Sequence, residues 1–110
     1  MKLYWLLLLG AILFEVTATT SMKLSDGFTK LLPSITMAVG YLASGILLTY
    51  AIKEIDLSIA YAIWAGLGVL LTTLIGVFYF QEALTGMKVA SAAMILVGVV
   101  GLYLSQPSVT

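Results

Sequence analysis

Four long apolar runs organise the chain, at about 3–22, 31–52, 57–80 and 87–104, with short polar connectors between them. In a helix rising about 1.5 Å per residue, each run is long enough to cross the roughly 30 Å hydrocarbon layer of a bilayer. The connectors carry turn chemistry. The first, from Lys23 to Lys30, contains the Asp26-Gly27 pair, a turn signal. Lys53-Glu54-Ile55-Asp56 forms the second, and Glu82 to Gly86 the third. Pro33 falls in the first turn of the second run, where its missing N–H is tolerated. The pattern predicts an all-α integral membrane protein, with four transmembrane helices in a single domain over 1–110 and a short frayed tail from Ser105 to Thr110.

Composition agrees and narrows the chemistry. Of 110 residues, 62% are hydrophobic and 9% charged, too little polarity to cover a soluble domain. Five lysines balance five acids, and there is no histidine or cysteine. Charges scattered among connectors make no basic patch for nucleic acid. Zinc, thiolate and Ser-His chemistry lack their usual residues, so no metal site, cofactor or enzyme activity is expected. The run after Met1-Lys2 is longer than a signal-peptide core, contains a carboxylate and precedes further membrane runs, and is read as a permanent helix.

That carboxylate is Glu15, near the middle of the first run. An ionised group at this depth costs from about 3 kcal/mol on insertion scales to several times that for an isolated helix, so its presence points to function. Its helical neighbours at three, four and seven residues are Leu8, Ala11, Ile12, Ala18, Thr19 and Met22, and the small ones leave room beside it. The structural alternatives are a glutamate that only ties helices together, or one that reaches the headgroups.

In the third run, Tyr61, Trp64 and Gly68 share a helical face. An aromatic pair beside a gap suits a flat or lipophilic cation, since a desolvated ring face attracts positive charge by about 2 kcal/mol or more. The competing reading is the interfacial aromatic belt, to which Tyr4, Trp5, Tyr50, Tyr79 and Tyr103 are assigned from their places near run ends. Tyr41, inside the second run, stands between the two readings. Gly66 and Gly68 mark a place where a helix can bend. Gly40 and Ser44 form a small-x-x-x-small pair, and Ser91, Gly98 and Gly101 a small-residue stripe in the last run, both of the kind along which membrane helices pack closely.

One chain is thin for enclosing a pathway, so a pair of chains supplying two Glu15 side chains and a shared cavity is expected. If Lys2 and Lys53 face one side of the membrane, Lys23, Lys30 and Lys88 face the other. Two against three is almost no positive-inside bias, which permits insertion both ways and hence antiparallel pairing. A desolvated carboxyl group can hold a proton or pair with a cation, but not both. If the two compete and the site opens to either face, an inward proton gradient drives the cation out.

With Glu15-Val-x-Ala-Thr-Thr-x-Met-Lys-Leu-Ser-x-Gly-Phe-Thr in the first run and connector, and Ala60-Tyr-Ala-Ile-Trp-Ala-Gly-Leu-Gly68 in the third, the chain resembles the small multidrug resistance transporters over essentially its full length. The resemblance implies an antiparallel homodimer, or a pairing with a homologous subunit, in a bacterial inner membrane, exchanging protons for small organic cations without a cofactor. It implies that Glu15 binds both proton and substrate, that Tyr41, Tyr61 and Trp64 line the pocket, and that Thr19 and Ser44 lie close to the carboxylate. It also implies a bend at Gly66 and Gly68 and a dimerising last helix containing Gly98. The guanidinium branch of the family usually carries Trp three residues after the glutamate, where this chain has Ala18; Ala18-Thr19-Thr20 resembles the multidrug branch. Gly45 stands where multidrug members often carry an aromatic residue, which leaves the substrate range open. A proton-carrying rotor subunit also uses a lone membrane glutamate but needs no aromatic cavity, so Tyr61 and Trp64 argue against it.

Overall fold

Residues 2–105 are described by a computed structural model of the chain. Four helices follow one another, α1 (Lys2–Leu24), α2 (Leu31–Ala51), α3 (Leu57–Phe78) and α4 (Gly86–Ser105), with no strand among the described residues. All four have the length and apolarity to span a membrane. The frayed tail expected over 105–110 lies, after Ser105, outside the described residues.

Helix ends fall within two residues of the ends of the apolar runs, and local hydrogen bonding explains the main shifts. Expected to Phe80, α3 stops at Phe78. The N–H groups of Tyr79 and Phe80 both donate to the Ile75 carbonyl at 2.8 and 3.3 Å, Gln81 turns left-handed at φ 60, and the Glu82 N–H returns to the Gly76 carbonyl at 2.9 Å. This folded end lays the Glu82 carboxyl group against Gly76, in the space a side chain at 76 would need. Expected to end at Met22, α1 continues to Leu24, and the Ser25 N–H still donates to the Ser21 carbonyl at 2.8 Å.

Asp26, Gly27 and Phe28 then run left-handed in succession, at φ 50, 69 and 66. Asp and Gly tolerate that conformation, whereas Phe is uncommon there. Buried Ser25 fixes the turn. Its hydroxyl donates to the Met22 carbonyl and accepts from the Phe28 N–H, while its carbonyl accepts from the N–H of Thr29 and Lys30.

The contacts divide the chain into two units, Met1–Glu54 and Ile55–Thr110. In the first, α1 and α2 pack through the small pair read from the sequence. A Cβ built on Gly40 would stand 2.9 Å from the Ala18 Cβ and 3.1 Å from the Phe14 carbonyl oxygen, so the helices approach to backbone distance there. One turn on, buried Ser44 donates its hydroxyl to the Ala11 carbonyl at 2.8 Å. In the second unit, α4 meets α3 through apolar surface, with Val99 and Leu96 against Gly66.

A carboxylate in the first spanning helix

Hydroxyl groups within an apolar helix must find partners locally, and five threonines of these helices do so by donating to the carbonyl four residues back. Thr17 reaches Leu13, Thr20 Val16, Thr36 Leu32, Thr49 Gly45 and Thr72 Gly68. Thr19 departs from this pattern. It too reaches four residues back, but its hydroxyl donates to the side-chain Oε2 of Glu15, at 2.5 Å. Its oxygen also lies 3.1 Å from the Tyr41 hydroxyl of α2. A threonine has one hydroxyl proton, so with that proton on Glu15 the Tyr41 O–H is the donor of the second bond. A directed chain thus runs Tyr41 to Thr19 to Glu15.

The flanking packing holds this chain in register. Ala18, beside Thr19, is fully buried against Gly40, beside Tyr41. Glu15 and Thr19 are half-buried and Tyr41 is 38% exposed, so the polar chain lies on the flank of the α1–α2 contact rather than inside it. Such a carboxylate can accept a proton or an organic cation from that flank. On protonation it becomes a donor itself, which would reverse the direction of the chain.

Three of the six residues assigned to proton and substrate binding, Glu15, Thr19 and Tyr41, are thereby joined. Ser44 belongs to the same hairpin, but its hydroxyl is bonded to the Ala11 carbonyl, one turn before Glu15, and serves helix packing. Tyr61 and Trp64 belong to the other unit, where Tyr61 is 66% exposed and Trp64 half-buried. Buried Gly66 and Gly68 sit in a helix that is continuous from Leu57 to Phe78. A Cβ on Gly66 would come within 2.6 Å of Val99 Cγ2, which gives this glycine a packing reason independent of any bend. Ser91, Gly98 and Gly101 lie exposed along α4, with open space around both glycines. The Ala11 carbonyl was not legible, because no side chain announces a backbone acceptor. The turn at Asp26-Gly27 was legible, but not the part Ser25 plays in fixing it, for which a serine between two helices was the available signal.

Four apolar spanning helices with a polar-bonded carboxylate in the first make a small multi-pass membrane protein. The chain belongs to the Small Multidrug Resistance protein family, whose profile matches residues 3–97. It is 51% identical to the Uncharacterized membrane protein YvaE of Bacillus subtilis, over 93% of this chain and 86% of that protein. It is 40% identical to the Quaternary ammonium compound-resistance protein QacH of Staphylococcus saprophyticus, over 87% and 90%. To a Guanidinium exporter of Yersinia pestis it is 38% identical, over 93% and 98%. Membership places the chain with transporters rather than enzymes, as a multi-pass protein of the bacterial inner membrane.

Proposed function

We propose that this protein exports lipophilic organic cations, quaternary ammonium compounds among them, in exchange for protons. Glu15 is the site for which the two compete, in a dimer whose subunits alternate access to the two sides of the membrane. The observation that carries the reading is the Glu15 carboxylate at the middle of a spanning helix, held by Thr19 and through it by Tyr41. A carboxylate kept at that depth is expensive unless a proton or a cation balances it. Tyr41 supplies ring surface for the cation's apolar body, and the open α4 stripe of Ser91, Gly98 and Gly101 is assigned to pairing of subunits.

Relatives named for quaternary ammonium resistance and for guanidinium export are almost equally similar to this chain, so identity alone does not choose between them. The packing of Ala18 favours the first. Its Cβ is fully buried against Gly40, and a tryptophan in its place, as in the guanidinium branch, would collide with α2.

The test is proton release when a lipophilic quaternary ammonium compound, or guanidinium, is added to weakly buffered purified protein. Release is expected with the first and not the second, and is expected to vanish in Glu15→Gln, with helicity by circular dichroism unchanged. Release with guanidinium alone would transfer the protein to the selective branch. Undiminished release from Glu15→Gln would end the role given to this carboxylate.

A further inference from the structure

The first connector throws a large apolar side chain outward. Phe28 is 62% exposed, and its φ of 66 lies in the left-handed region, where the Cβ of an L residue crowds the following carbonyl and the placement carries a conformational cost. It is not a loose excursion. The Phe28 N–H donates to the Ser25 hydroxyl at 3.1 Å, and the next residue, Thr29, donates its hydroxyl to the Asp26 carbonyl at 2.9 Å, so the backbone around the ring is tied down. In water this arrangement is doubly unfavourable, a strained residue presenting a bare ring.

The place of the turn in the fold says what meets that ring. The spans that it joins have 22 and 21 residues, and at about 1.5 Å per residue each just exceeds the roughly 30 Å hydrocarbon layer. Residues 25–30 therefore stand where acyl chains give way to headgroups. Leu31 and Leu32, which follow the turn, are largely exposed as well. Lys23 and Lys30, both exposed, bracket the turn and outnumber its one acid, Asp26. Apolar side chains set beside an excess of lysine match this boundary, acyl chains on one side and phosphate groups on the other.

We infer that the turn between α1 and α2 is a lipid anchor. The Phe28 ring seats at the acyl–headgroup boundary of one leaflet, with Lys23 and Lys30 at the level of the lipid phosphates, and so fixes the depth of the first hairpin. This is independent of the transport role proposed for Glu15.

The sequence has no cysteine, so a single nitroxide label can be placed on the full-length protein in vesicles of phosphatidylcholine and phosphatidylglycerol. Labels on Phe28→Cys and Asp26→Cys are compared by their collision rates with oxygen, which concentrates among acyl chains, and with a nickel chelate, which stays in water. Oxygen is expected to dominate at 28 and nickel at 26. A label on Leu31→Cys then reads the depth of the hairpin end, which is expected to hold in Phe28→Trp and to shift toward water in Phe28→Ser. Nickel dominance at 28 would overturn the inference, and so would protection from both reagents, which would put the ring against a second copy of the chain. An unmoved label at 31 in Phe28→Ser would remove the anchoring role. Because Phe28→Cys deletes the ring itself, Phe28→Trp is also read by fluorescence quenching with brominated lipids. Quenching in excess of wild type, whose tryptophans are Trp5 and Trp64, is expected to be greatest with bromine near the headgroup end of the acyl chain; no excess with any bromolipid would overturn the inference equally.

Discussion

The α1–α2 hairpin and the α3–α4 hairpin are built from helices of nearly the same length and apolarity, yet they are joined by different means. In the first, the backbones come together at Gly40 and Ala18, a buried hydroxyl bonds across to a carbonyl, and a second polar chain crosses from Tyr41 to Thr19. In the second, Val99 and Leu96 rest on Gly66, and α4 has no buried residue. Water supplies no force between helices inside lipid, so close approach and polar bonds fix geometry there. The first hairpin holds the carboxylate in a defined setting. The second offers ring surface and an uncommitted helix face.

This contrast can be broken most strongly at the close crossing. Replacing Gly40 by alanine puts a methyl group against the Ala18 Cβ and the Phe14 carbonyl, neither of which can swing away, and overpacking of this kind costs about 1–3 kcal/mol. Gly66→Ala meets side-chain atoms of Val99 and Leu96 rather than a backbone carbonyl. It should therefore cost less than Gly40→Ala in the same detergent-unfolding titration, and an equal or larger loss would abolish the ranking of the two hairpins.

Ser44→Ala comes next. It removes a buried interhelical hydrogen bond of the kind that averages about 0.6 kcal/mol in membrane proteins, reaching about 1.7, and it leaves the Ala11 carbonyl without that donor. The expected loss in the titration falls in that range, and no loss would mean that the crossing at Gly40 alone holds the helices. Gly98→Ala has the smallest expected effect on the single chain, since a Cβ there meets nothing; unfolding should shift by less than about 1 kcal/mol, the helix propensity difference. Under the pairing role proposed for this stripe its effect falls on subunit association, and a drop in dimer mass at unchanged unfolding would support that role.

Much of this was legible in the sequence, for identifiable reasons. Apolar run length gave the helices to within two residues, because a spanning helix must satisfy its own backbone and so extends through the whole apolar run. Gly40 and Ser44 were legible as a crossing because their spacing places both on one face. The bond from Tyr41 to Thr19 was not, since it depends on how far one helix is shifted along the other, which side-chain spacing within each helix does not encode. Gly66 was legible as a place where the helix can bend, but its packing reason was not, because that lies in Val99 of another helix. The end of α3 ran short of the apolar pattern because Tyr79 and Phe80, though apolar, turn back onto Ile75.

The folded end of α3 also bears on how this chain can change over generations. Since the Glu82 carboxyl group occupies the space that a side chain at 76 would need, alanine at 76 has to displace it. That carboxyl group is the exposed far end of a flexible side chain and is able to swing aside, so a lineage that exchanges this glycine loses the close seat of Glu82 and not the fold.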